Sequence, residues 1–216
     1  MPDLSVAVVD VSAPRFAVVP TLAFQLEVSD PDGPVHALAL RCQVRVEPQL
    51  RRYDAGEEER LYDLFGSASR WADTLKPFLW AELSTVVPAF DGATRFELPM
   101  TCSYDFEVVA NRYLHSLAGG EVPLVFLFSG SVFRVVRTPA GSSTMMVTPV
   151  PWHAESRFGL PVSVWREAMD RFFPGSGWLR LSCETIDALG RVKAAEALPT
   201  WDEAIRLLLK RAGEEQ

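Results

Sequence analysis

Leu22-Ala23-Phe24-Gln25-Leu26-Glu27-Val28 and Leu38-Ala39-Leu40-Arg41-Cys42-Gln43-Val44-Arg45-Val46 decide the fold class. In both runs every second residue is apolar, and most of the intervening ones are small or polar. Side chains on a strand point to alternate faces, so each run reads as a strand with one face in the core and one toward water. Asp30-Pro31-Asp32-Gly33 between them has turn chemistry. The two runs are therefore expected to form an antiparallel hairpin.

The same reading extends outward. Residues 1–20 are apolar but broken by Pro14 and Pro20, which suits an edge strand or extended arm. Residues 56–75 change period: Leu61, Leu64, Phe65, Ala68, Trp71 and Leu75 recur at three- and four-residue steps behind Glu57-Glu58-Glu59, predicting a helix that Pro77 ends. Phe78 to Val87 is strand-like, and Asp91-Gly92 is a turn. Phe96 to Tyr104 alternates, with Pro99 placing it near an edge. Phe106 to Leu117 reads as a short helix stopped by Gly119-Gly120. Glu121 to Arg137 is a long apolar strand, Pro139 to Ser143 a hairpin tip, and Met145 to Val150 the return strand. Pro161 to Phe173 is helical, with Val164, Trp165, Met169 and Phe172 as its stripe. The expected fold is α+β: an antiparallel β-sandwich or curved sheet with two inserted helices over residues 1–150, then a helical C-terminal region over 151–216.

Composition narrows the function. With 216 residues, 48% hydrophobic and 23% charged, the chain has ample material for a core. Its net charge of −7 disfavours general attraction to nucleic acid or anionic membranes. No apolar run approaches the roughly 18 residues of a membrane span, and the start lacks the basic and apolar regions of a signal peptide. Cys42, Cys102 and Cys183 are odd in number and widely spaced, which reads as reduced, mostly buried thiols of a cytoplasmic protein.

No catalytic or metal signature stands out. His36, His115 and His153 share no ligand spacing. Ser131 lacks the flanking glycines of a nucleophile elbow, and Gly119-Gly120 and Gly175-Ser176-Gly177 lack the context of a phosphate loop. The expectation is a protein that is not an enzyme and carries no cofactor. The rival is an enzyme whose site assembles near His153 and Glu155.

Residues 178–211 resemble a ribbon-helix-helix unit. Trp178 to Ser182 would be the strand, with Leu179 and Leu181 inward. Ser182 suits a helix N-cap, and Ile186, Leu189, Val192 and Ala195 would form a buried stripe. Thr200 with Glu203 forms a capping box for a second helix. Such a unit implies DNA binding, dimerisation or neither, the helices in the last case simply packing on the sheet. However, residues 178–216 hold six Lys/Arg against seven Asp/Glu, so the phosphate-binding charge is missing. A homodimer remains compatible with it; a DNA-binding regulator is the weaker alternative, with Trp178, Arg180 and Ser182 not expected to read bases.

Four of the six tryptophans lie in the last third of the chain. Such aromatics either glue helices to the sheet or stay exposed, and Trp152, Trp165, Phe173, Trp178 and Trp201 are the candidate anchors for a protein partner, because large rigid aromatics dominate interface energetics.

Gly120-Glu121-Val122-Pro123-Leu124, Phe128-Ser129-Gly130, Pro151-Trp152, Leu160 to Trp165, Phe173 to Leu179 and Leu198 to Asp202 together resemble an uncharacterised actinobacterial family often encoded beside uptake [NiFe]-hydrogenase genes. The resemblance implies an accessory or assembly role there, with a hydrogenase subunit or maturation factor as partner. It supplies no catalytic residue.

Overall fold

The computed structural model describes residues 4–103, 108–137, 142–175 and 179–214. Their N-terminal apolar runs form strands β1 (Ser5–Ser12), β2 (Thr21–Ser29) and β3 (Ala37–Val46). Helix α1 (Ala55–Phe65) and the single turn α2 (Trp71–Thr74) lead to β4 (Phe78–Val87) and β5 (Ala93–Thr101). Helix α3 (Val109–Ser116) precedes β6 (Glu121–Arg137), β7 (Ser143–Pro149) and β8 (Glu155–Pro161). Helices α4 (Val162–Asp170), α5 (Cys183–Ala195) and α6 (Trp201–Glu214) complete the chain. The architecture is α+β with antiparallel sheets. No helix among the described residues is long and apolar enough to cross a membrane.

β2 and β3 do not form the expected hairpin. β2 lies between β1 and β5 in a three-stranded sheet, while β3 lies between β4 and β6 in a five-stranded one. The turn chemistry is used, since the Asp32 N–H donates to Asp30 Oδ1 at 3.0 Å and Gly33 has φ 103°. The chain then crosses to the other layer. This leaves the inward rows of both strands, Leu22 to Val28 and Leu38 to Val46, within one core. Phe24 meets Phe126 edge-on at 5.0 Å and Phe158 at 6.2 Å, contacts that join one sheet to the other.

β6 organises the larger sheet. One flank pairs with β3 along its middle. The other takes β8 over Glu121 to Leu127 and β7 over Ser131 to Arg137. At the change of partner stands Gly130, with φ 148°. A Cβ there would lie 2.0 Å from the Ala39 carbonyl oxygen, so only glycine lets β3 and β6 approach this closely. Beyond it, Arg134 on β6 forms a buried ion pair with Asp30, just past the end of β2, and donates to Thr148 Oγ1 at 2.9 Å. On the far side of the sandwich, the Val8 N–H of β1 donates to Ser156 Oγ of β8 at 2.9 Å.

Asp54 starts α1 with a reciprocal capping box to Glu57. The helix expected over 56–75 stops at Phe65, because Gly66 takes φ 71° and the chain restarts in a 3-10 turn before α2. Glu57 also accepts from Arg51 at 2.8 Å and from the Ala118 N–H at 2.7 Å, fastening α1 to the segment that enters β6. Tyr53 and Tyr113 share a 2.7 Å hydroxyl hydrogen bond beside it.

The compact units are Met1–Gly177 and Trp178–Gln216, so the division differs from the expected one at 150/151. The reason is β8, a strand absent from the sequence reading, which pairs with β6, and α4, whose Val162, Trp165, Ala168 and Met169 are buried. The second unit holds α5 and α6. Ser182 caps α5 by accepting from the Thr185 N–H at 3.2 Å, and Thr200 accepts from the Glu203 N–H at 3.2 Å, as the sequence suggests. Residues 179–182 pair with no strand of the described residues, and Leu179 is 67% exposed rather than inward. Ile186 and Ala195 are exposed too, and Ala204 is the single fully buried apolar residue among those described in this unit.

Gly130→Ala should therefore lower the unfolding free energy by about 3 kcal/mol or more, combining strained φ with a backbone clash. Gly119→Ala, where a Cβ meets nothing within 4 Å, should stay within about 0.5 kcal/mol. Urea unfolding of both variants checks the contrast.

Candidate functional site

Trp152 sits on the loop joining β7 to β8, bracketed by Pro149, Pro151 and the small Ala154. The loop runs beside the stretch of β6 where one partner strand gives way to the next, and it borrows that stretch's hydrogen bonds. The Val150 N–H donates to the Gly130 carbonyl at 3.0 Å, and the Phe128 N–H donates to the Ala154 carbonyl at 2.9 Å. The Ala154 N–H closes the turn on the Pro151 carbonyl at 3.0 Å. Val150 and Ala154 are buried, yet Trp152 between them is 94% exposed. Its ring lies 5.4 Å from that of His153, nearly perpendicular to it. An aromatic held outward on a pinned backbone has little ordering left to lose when a partner covers it.

The other candidate anchors are placed differently. Trp165 is 1% exposed, a core residue of α4 whose ring meets His115 at 4.7 Å, so it cannot anchor a partner. Phe173, just past the end of α4, is half-buried. Trp178 lies outside the described residues. Trp201 opens α6; it is about half exposed, with the Lys193 ammonium 5.7 Å from its ring centroid and its ring edge beside Gly190, so part of its surface serves the contact between α5 and α6. Trp152, Trp165 and Phe173 thus share no single surface.

His153 and Glu155 are both exposed, and Glu155 faces Arg157 at 3.6 Å. A depression of about 630 Å³ lies elsewhere, over the outer face of the larger sheet between Arg41, Gln43, Glu82, Ser84 and Ser129. It is polar, and Gln43 donates across it to Glu82 at 2.8 Å. No group of three or more His, Cys, Asp or Glu among the described residues is placed to hold a metal ion.

Burial pushes the thiols of Cys42 and Cys102 up to about 12, which keeps them protonated and unreactive at neutral pH. Burial likewise raises Tyr53 and Tyr113, which serve the lock around Glu57. Cys183, the first residue of α5, is exposed, so two of the three thiols are buried, as the strand alternation around Cys42 and Cys102 suggests.

Two exposed apolar features escaped the sequence reading. Phe16 and Val18 stand out from the segment between Pro14 and Pro20, which Arg171 ties down by donating to the Ala13 and Pro14 carbonyls at 3.0 and 2.6 Å. Along β7, Met145, Met146 and Val147 are all exposed. The available signal was charge: no acidic or basic residue occurs from Thr138 to Trp152.

The chain belongs to a family of unknown function, DUF6084, whose model matches residues 1–216. No curated protein and no solved structure matches it.

Native-state labelling with a thiol reagent near pH 8 should modify Cys183 promptly, while Cys42 and Cys102 react only after denaturation. Cys183→Ser should remove the fast phase. Fast modification of a second thiol would contradict the burial of the strand cysteines.

Proposed function

We propose that this chain is a non-catalytic accessory or assembly protein that acts by binding another protein through the loop bearing Trp152. One observation carries the reading: Trp152 is almost wholly exposed between two buried residues, on backbone hydrogen-bonded to β6. Leaving a tryptophan in water forgoes the burial that its area offers, and surfaces that do so are characteristic of binding sites. Phe16 and Val18 are further exposed apolar groups on a tied-down loop. The resemblance to a family encoded beside uptake [NiFe]-hydrogenase genes makes a hydrogenase subunit or maturation factor, in the cytoplasm, the partner to test.

The experiment is a paired affinity purification from the native host, with the wild-type chain and Trp152→Ala as baits, followed by mass spectrometry. The wild type should recover a stoichiometric protein. The variant should bind it about 30-fold more weakly, the loss of a hot-spot residue worth about 2 kcal/mol. Its melting temperature should not change, because Trp152 supports no part of the core. Absence of a stoichiometric partner while the hydrogenase is expressed, or equal recovery by the variant, would refute the reading.

A further inference from the structure

The sandwich has several open strand edges, and all but one carry features that discourage pairing. β1 has Asp10 and a register shift between Val8 and Asp10, and it is hydrogen-bonded to β8. β5 has Arg95, Glu97 and Pro99. β4 has Glu82 and the extra residue Trp80 opposite the Val44/Arg45 register shift. β8 has Glu155, Arg157 and Pro161. Charges, prolines and bulges on edges are the usual means by which proteins avoid edge-to-edge association. β7, Ser-Thr-Met-Met-Val-Thr-Pro, has no charge and no register shift, and its proline is the last residue.

Ladder geometry identifies its free groups. The Val150 N–H bonds to the Gly130 carbonyl, and the Phe133 carbonyl is turned away from β7 to accept from His36. In an antiparallel pair, bonded and non-bonded residue pairs alternate. Thr148, Met146 and Thr144 therefore bond back to β6, while Ser143, Met145 and Val147 direct their N–H and C=O groups off the sheet. Pro149, next in that series, has no N–H to offer. Such a row is a ready template for an added strand.

We propose that β7 pairs antiparallel with β7 of a second copy of this chain, across a two-fold axis at Met145. Ser143 then bonds to the partner's Val147, and Met145 bonds to the partner's Met145. Any shift of register loses a bonded pair or sets Pro149 against a donor's place. The strand is self-complementary because it carries no charge to oppose its own copy. Of the two β6 cations opposite β7, Arg134 is already neutralised by Asp30, and Arg137 lies at the far end, opposite Ser143. Pairing also joins two apolar bands on the outer face, formed by Phe133, Val135, Met145 and Val147, of which the last three are about half exposed in one chain.

Sedimentation equilibrium of the full chain tests this. The protein should weigh twice 24.0 kDa at about 100 µM, the range of a small interface. Met145→Lys should return it to the monomer mass with an unchanged circular dichroism spectrum, and Trp152→Ala should leave it dimeric, which separates this edge from the loop proposed above. In a Cys183→Ser background, oxidised glutathione should link Met145→Cys chains, since bonded pairs hold Cα atoms about 5.5 Å apart, within disulfide reach. Ser143→Cys chains, about 14 Å from their own copies in this register, should stay unlinked. A monomer at about 500 µM, a dimer indifferent to Met145→Lys in its folded form, or equal linking at both positions would overturn the proposal.

Discussion

The close approach of β3 to β6 at Gly130 is the constraint on which the larger sheet depends. A side chain at that position would meet the Ala39 carbonyl at 2.0 Å. Without one, β6 can twist at the point where it leaves β8 and takes up β7. The 150–154 loop lies against the same point and uses the Gly130 carbonyl and the Phe128 N–H. The exposed Trp152 is thus a consequence of how a long strand changes neighbours. The loop that covers the gap must bury Val150 and Ala154, and the residue between them at the crest faces water.

Buried polar contacts then set how the parts of the first unit meet. Asp30 and Arg134 join the end of one sheet to the middle of the other, and Thr148 extends the contact to β7. Glu57, Arg51 and the Ala118 N–H join α1 to the approach of β6. Burying such charges costs solvation, so they add less stability than their geometry suggests, but removing one partner would strand the other. Both sets converge on β6 and restrict its register at each end.

Individual strands were readable in the sequence because burial of one face imposes alternation, and β4 and β6 have the residue bounds the pattern suggested. Partnerships were not readable. Alternation says that Phe24 and Cys42 face a core, and says nothing about whether they face it from the same sheet. β8 escaped because Ser156, Phe158 and Leu160 alternate only briefly within residues dominated by Glu155, Arg157 and Gly159. The 56–75 periodicity ran on through Gly66 because the packing face continues although the helix does not. Among the aromatics, Trp165 shares a helical stripe with Met169 and reads as core. Trp152 lies between prolines outside any period, and its exposure follows from a loop path that only the fold determines. At 179–182, alternating leucines suggested a strand that pairs with none of the described residues of this chain.

The separation of β2 and β3 into different sheets bears on how the chain reaches its structure. β2 pairs with β5, bringing Thr21 to Thr101, and β3 pairs with β6, bringing Ala37 to Phe133. Both closures span long stretches of chain, and topologies rich in such distant pairings fold slowly. Until β4 has been synthesised, the two early strands have only each other and β1 nearby, joined by a segment with turn chemistry. A nascent chain therefore offers a local β2–β3 hairpin that the finished molecule does not contain. Any such pairing must be undone in folding, and strands still waiting for their partners leave Phe24, Leu26, Leu40 and Val44 uncovered in the meantime. The same apolar alternation that makes the finished core continuous makes the first fifty residues the segment most in need of protection during synthesis.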